Sequence, residues 1–346
     1  MKIIFIFFLV LSGIAKTQSF ELKNEKLIKY YDFINRAENK IVNNDLKDAN
    51  NLYKEAFKEF KYPHAKDLYN SMKTALKIKD LETAYTHYQT LKCLGKNFSK
   101  DFLIENFKNP EKYKVIPCQN TIDLKYKKTL DSLVEIDQYY RKLSNGNYQA
   151  YKKELTKGDS IASTSLLKLI QNKGFPNEYN IGLGSADDIF FQKFCLIIWH
   201  QLATNNISNQ KVNFSNEINK ALNEGKIRSD IAGFLFDLNN GTNNYSYFKI
   251  YQFLSNEGKI DCCYVSSTFL PERRNDKVND IINNVNNKRK QMGLSSTEDE
   301  IQKNIFLLNN KDYAFLNKAI ESWNFKNDSD AELMKKNLIK LDDTAH

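Results

Sequence analysis

Residues 43–63, NNDLKDANNLYKEAFKEFKYP, decide the fold class, because their pattern returns 35 residues later. Shifted by that amount, Asp45-Leu46 falls on Asp80-Leu81, Ala49 on Ala84, Tyr53 on Tyr88 and Ala56 on Leu91, a period of solenoid size. Asn43-Asn44-Asp45 supplies a turn and a helix N-cap. The small side chains of Ala37, Ala49 and Ala56 let two helices come close, while Tyr53 and Phe57 fill the groove between them. Pro63 opens the next unit, where its missing N–H is no loss.

The pattern resembles tetratricopeptide repeats, whose small residues in the two helices and following proline correspond to Ala37, Ala49 and Pro63. It departs from them where a glycine is usual and in lacking a tryptophan. Two units are too few to bury both faces of a stack, so the next segment must close it. Phe98, Phe102, Leu103 and Phe107, then Tyr113, Val115 and Ile116, read as a third element ending near Pro117-Cys118. The resemblance implies a repeat domain over residues 20–118. Its concave surface either takes a peptide or protein partner or supports the second half of the chain.

Ahead of the repeat, Met1-Lys2 leads into Ile3-Ile4-Phe5-Ile6-Phe7-Phe8-Leu9-Val10-Leu11, a basic start and an apolar run of signal-peptide length. Cleavage is expected after Ser19, with Ala15 as second candidate, and no cysteine near the junction points to a lipid anchor. The expectation is an exported chain, periplasmic or secreted, without stable membrane insertion. Its best later apolar run, Phe190 to Leu202, is broken by Gln192, Lys193, His200 and Gln201. The net charge of +9 becomes +7 once Lys2 and Lys16 are removed. Lysines are interleaved with acids and asparagines throughout, arginines number only six, and no basic block alternates with aromatics, so no nucleic-acid partner is expected.

Five cysteines, Cys93, Cys118, Cys195, Cys262 and Cys263, have no metal-ligand spacing, and neither a metal nor another cofactor is expected. Export permits a disulfide, and Cys93 with Cys118 is the pair to test, since both fall near the end of the repeat domain. Cys195 reads as a small buried hydrophobe. The odd total leaves at least one thiol free.

From Thr121 a long amphipathic helix carries Leu130, Leu133, Ile136 and Tyr140 on one face, together with Asp137-Gln138-Tyr139-Tyr140-Arg141. Asp137 and Arg141, four apart, can pair at the edge of that face, and on an exposed edge such a pair is worth about 0.3–0.5 kcal/mol. Asp159, Gly174-Phe175-Pro176, Ile181-Gly182, a helix from Phe194 to Gln201, Gly225, Ala232 to Asp237, Arg289 and Gly293-Leu294 come next in that order. Together they resemble a bacterial domain-of-unknown-function family marked by a D-Q-x-x-R helix, a G-W-P turn, a helix ending in Q-H, an A-x-L-x-D-R segment and a Y-G-T-Q stretch. The resemblance covers about residues 121–300. The chain departs from it at Phe175, Trp199, Leu238 and Tyr251-Gln252, and keeps Asp137, Gln138, Arg141, His200 and Asp237. It implies a site built from these residues, with Gln252 beside them, and no reaction.

His200 is the chemically prominent residue, because His64 and His87 fall in the repeats and His346 is terminal. A histidine near a carboxylate can move protons at neutral pH, although a core histidine held by one hydrogen bond is the commoner arrangement. No G-x-S-x-G, H-E-x-x-H or phosphate loop accompanies it, and Gly182-Leu183-Gly184 lacks a third glycine. Asp187-Asp188 reads as a helix N-terminal charge before a cation site. Further on, Tyr245–Leu254 and Lys259–Ser267 read as a β-hairpin, with Cys262 and Cys263 on opposite faces. Helix returns over Lys277–Met292 and Glu298–Leu308, and the polar tail 326–346 should be loose.

The expected architecture is mainly α: a tetratricopeptide-like helical repeat at 20–118, then an α-rich domain at 121–325 with one β-hairpin. The expected function is binding or scaffolding of a protein or peptide through the repeats, more than catalysis. The alternative is a cell-envelope hydrolase or other acid/base enzyme using His200 with Asp137 or Asp237. In it Arg141 binds an anionic group, and Gln138 and Gln252 assist.

Overall fold

A computed structural model describes residues 20–118, 121–183, 192–205, 208–240, 242–245, 250–255, 259–266, 276–315, 320–325 and 327–340. Residues 1–19, where a signal segment is expected, the pair Asp187-Asp188 and residues 341–346 lie outside them. The chain is mainly helical with one small sheet, and no helix among the described residues is long and apolar enough to cross a membrane.

Helices α1 (Glu25–Val42) and α2 (Leu46–Glu59) form one hairpin, α3 (Ala65–Lys77) and α4 (Leu81–Cys93) a second. Ala37, Ala49 and Ala56 are fully buried, as close helix packing requires. Asn44 and Lys79 take the left-handed conformation at equivalent turns, with φ of 58° and 63°. Asp80 then caps α4 by accepting from the Thr83 N–H at 3.3 Å, whereas Asp45 accepts from Lys40 Nζ at 2.7 Å. Helix α5 (Phe102–Asn106) and a 3-10 turn at Pro110–Lys112 come next, and Phe98, Phe102, Phe107 and Tyr113 pack against Tyr85 and Tyr88. A disulfide joins Cys93, the last residue of α4, to Cys118.

The chain continues through α6 (Leu124–Ser144), α7 (Lys152–Lys173), the short α8 (Glu178–Ile181), α9 (Cys195–Thr204), α10 (Ser215–Asn223) and α11 (Ser229–Asn240). One apolar cluster takes Leu27, Tyr30 and Ile34 from α1 and Tyr53 from α2 together with Leu166, Ile197, Ile198 and Phe236. The first hairpin thus shares its core with the second half, while α3 to α5 pack into a smaller cluster. Each such side chain contributes about 1.5–3 kcal/mol on burial, so this shared core holds the two halves in one arrangement.

After α11 come β1 (Ile250–Leu254) and β2 (Ile260–Ser266), then α12 (Asp276–Gln291), α13 (Thr297–Asn309), β3 (Ile320–Asn324), α14 (Asp328–Lys335) and β4 (Leu338–Lys340). The expected antiparallel hairpin is present, but it forms the centre of a sheet ordered β3-β1-β2-β4, with β3 parallel to β1. The tail expected to be loose therefore supplies a helix and an edge strand. A lone hairpin is marginal in water, and the added strands, with Ala331 of α14 packed by Phe253 and Tyr264, cover its edges and one face. Cys262 and Cys263 do not face opposite sides either. The register slips where Tyr251 pairs with Tyr264 and Gln252 with Cys262, and this bulge suspends the alternation. The two cysteines are bonded to each other and adjoin the same apolar cluster. Cys195 is free and buried.

Candidate functional sites

Helices α6, α7 and α9 bring four of the sequence-selected residues together. His200 Nδ1 lies 2.7 Å from Asp137 Oδ2, across 63 residues of sequence, and Gln138 Nε2 donates to the same oxygen at 2.7 Å. Because a carboxylate only accepts, Nδ1 is the donor in this bond, on a side chain that is 20% exposed. The Asp137 side chain is fully buried, so its pairing with Arg141 is not the exposed ion pair anticipated from spacing.

Arg141 is committed to protein groups. Its two terminal nitrogens donate to Asp159 at 2.7 and 2.9 Å, one of them also to the Asp137 carbonyl at 2.6 Å, and Thr204 Oγ1 donates to Asp159 at 2.7 Å. This fork holds α6, α7 and α9 together and leaves Arg141 poorly placed to bind an anionic substrate. Donor atoms of Asp137, Asp159 and His200 lie within 4.8 Å of one another, near enough for a cation, yet the guanidinium already supplies the positive charge there. Asp237 stands elsewhere: it accepts from Thr242 Oγ1 at 2.8 Å and from the N–H groups of Asn244 and Tyr245 at 2.7 and 2.8 Å, shaping the loop after α11. Gln252 lies in β1 opposite Cys262, and among the described residues the polar and ring contacts of His200 are to Asp137 and Trp199.

A second concentration of chemistry lies at the seam between the helical hairpins and the rest of the chain. Here a cleft of about 430 Å³ is walled by Phe60, Tyr62 and His64 of the α2–α3 turn, by Phe175, Pro176 and α8, by the start of α9, and by Gly225 to Arg228 of the α10–α11 turn. Gly225 has φ of +68°, and a Cβ there would lie 2.3 Å from the Phe60 ring, so only glycine lets this turn approach α2. Tyr62, 42% exposed, marks where the cleft meets solvent.

Inside, Glu178 Oε2 accepts from the Ala65 N–H at 2.8 Å and stands 3.9 Å from His64 Nδ1. His64 Nε2 hydrogen-bonds with the Tyr31 hydroxyl at 3.0 Å. Burial raises the Glu178 carboxyl to about 7, against the opposing pull of the Ala65 N–H. Burial, reinforced by the charge of Arg228, holds His64 down at about 3, so this imidazole is neutral. Arg228 closes on Asp230 through Nε at 3.0 Å and Nη2 at 2.7 Å. Burial opposes the Asp230 charge, but Arg228 outweighs it and brings the carboxyl to about 2. Deeper in, Lys66 and Lys303 both donate to Glu38, at 2.5 and 2.7 Å, and Lys66 also lies 3.0 Å from Asp67, which accepts from the Tyr30 hydroxyl.

Sequence patterning pointed to the first site and missed the second. His64 read as a repeat residue and Glu178 was not singled out, since neither belongs to a catalytic motif. Two signals were present: Arg228 and Asp230, one of few arginines beside an acid at the start of an apolar helix, and prolines at 63 and 176 marking the two turns that form the walls. Compared with known protein families, curated proteins and solved structures, the chain matches none.

Proposed function

We propose that this chain is an exported binding protein whose ligand site is the seam cleft. The observation that carries this reading is a roomy concavity with aromatic walls and two buried, strongly perturbed titratable groups, the combination that marks small-molecule sites. The expected signal segment and the Cys93–Cys118 disulfide support export to an oxidising compartment. The cleft is favoured over an open face of the repeat because α1 packs against α13, Asn35 donates to the Gly293 carbonyl and Asn70 exchanges two hydrogen bonds with Ala314. The test is a thermal-shift screen of small polar compounds against the wild type and Lys226→Trp, which plugs the mouth. Compounds that stabilise the wild type should leave the plugged variant unmoved, and equal shifts in both would sink the reading.

The second reading, an acid/base enzyme at His200, is favoured by one observation, the Asp137 carboxylate orienting an imidazole whose Nε2 makes no hydrogen bond among the described residues. It requires hydrolysis of cell-envelope esters or amides that both His200→Ala and Asp137→Asn abolish. Turnover unchanged in either variant would count against it.

A further inference from the structure

Among the described residues, the ions at the seam close in sets, with one exception. Lys66 and Lys303 face Glu38 and Asp67, Arg228 faces Asp230, Arg289 faces Glu300, and at the mouth Lys226 lies 2.7 Å from Glu224. Glu178 remains. Its Oε2 has a backbone N–H, but Oε1 has no hydrogen bond among the described residues, and the histidine beside it is uncharged. Arg228, closed on Asp230, pulls on Glu178 only from a distance; a carboxylate held in low dielectric without a cation in contact is costly, and a ligand bearing a positive charge relieves that cost.

The rest of the wall suits the same guest. Tyr62 and Tyr179 stand edge to face with centroids 5.1 Å apart, Phe60 lies 6.4 Å from Tyr62, and Phe175 completes the aromatic lining opposite the α10–α11 turn. Lys61 Nζ sits 5.3 Å over the Tyr62 ring, so one of these faces already receives a cation from the solvent side. Aromatic faces attract ammonium groups and repel anions, which decides against a carboxylate or phosphate ligand despite the nearby arginine, itself closed on Asp230.

We propose that the seam cleft is a receptor for an organic ammonium ion, with its charge met by Glu178 Oε1 and its carbon skeleton lying against Phe60, Tyr62, Phe175 and Tyr179. This rests on the cleft being the ligand site. The titratable and charged groups around Glu178 are His64 from the α2–α3 turn, Tyr179 on its own helix, Cys195 from α9, Asp67 from α3, and the Lys226–Glu224 and Arg228–Asp230 pairs. His64 is neutral, and burial lifts the Cys195 thiol to about 12, so between mildly acidic and mildly basic pH Glu178 is the group that changes charge. A permanently charged ligand therefore binds more tightly as pH rises through about 7.

The experiment is calorimetric titration of the full chain with benzyltrimethylammonium, neutral benzyl alcohol and anionic benzoate. The cation should bind about tenfold more tightly than either of the others, Glu178→Gln should erase that preference, and Tyr62→Ala should weaken the cation about threefold. Glu178→Gln keeps the side-chain shape and removes a buried charge, and Tyr62 lies at the mouth, so both variants fold; circular dichroism checks this. Equal binding of alcohol and cation, or a cation preference that survives Glu178→Gln, overturns the proposal. If benzyl alcohol or benzoate binds better and Lys226→Trp blocks it, the cleft stands as a ligand site and the ammonium assignment falls. If no probe binds, both fall.

Discussion

Among the described residues, two couples of a buried carboxyl and a histidine behave in opposite ways. At Asp137 and His200 the atoms are 2.7 Å apart, with Gln138 on the same oxygen and Arg141 behind it. At Glu178 and His64 they are 3.9 Å apart, the imidazole is turned to Tyr31, and burial drives both groups toward neutrality. About one ångström of separation thus divides a carboxylate hydrogen-bonded to its histidine, with only Oδ1 left 3.6 Å from Arg141, from two groups awaiting a third. The open couple has the cleft beside it; His200 lines neither that cleft nor the groove between α6 and α7.

Removing each carboxylate breaks the comparison most directly. Asp137→Ala should cost about 3–5 kcal/mol in urea unfolding, because it leaves Arg141, Gln138 and His200 short of a buried acceptor. Glu178→Gln should do the reverse above pH 7, stabilising by up to about 3 kcal/mol. A loss from both substitutions would show that the two couples are alike.

The pH dependence carries the same contrast with a definite sign. The folded-state pKa of Glu178 is raised from 4.5 to about 7, so its contribution is fully present below pH 4.5 and is lost as pH climbs through 7. His64 is lowered from 6.5 to about 3, so its contribution is present above pH 6.5 and lost as pH falls toward 3. Between pH 4.5 and 6.5 the two oppose each other. Denaturation midpoints across pH should flatten between pH 4.5 and about 7 in Glu178→Gln and between about 3 and 6.5 in His64→Gln, which can still reach Tyr31; unchanged profiles would contradict both assignments. The smallest effect expected is that of Tyr62→Ala on unfolding, within about 0.5 kcal/mol since the ring is exposed, and a larger loss would make Tyr62 a structural residue.

Local features were the legible ones. The 35-residue repeat announced both hairpins, and the aromatic run from Phe98 to Tyr113 announced what closes them, because each pattern acts on neighbours in sequence. The grouping of Asp137, Arg141 and His200 was legible as a set of motif residues, but the partner that decides the role of Arg141, Asp159, sits on another helix. Nothing in the spacing of Glu38, Lys66 and Lys303 reveals an ion set spanning 265 residues, and nothing in the tail's polarity reveals β4. Those depend on which surfaces remain uncovered once the local elements exist. The bulge at Cys262-Cys263 likewise defeats a rule that assumes an unbroken strand.

The bond between Cys93 and Cys118 makes a covalent ring of the stretch between them. A protease that nicks the exposed part of that ring, for instance beside Val115, would release no fragment: the molecule would keep its mass and migrate whole on a gel until reductant split it in two. A band that divides only after reduction would therefore report at once that the nick occurred and that the chain had been oxidised before the enzyme reached it.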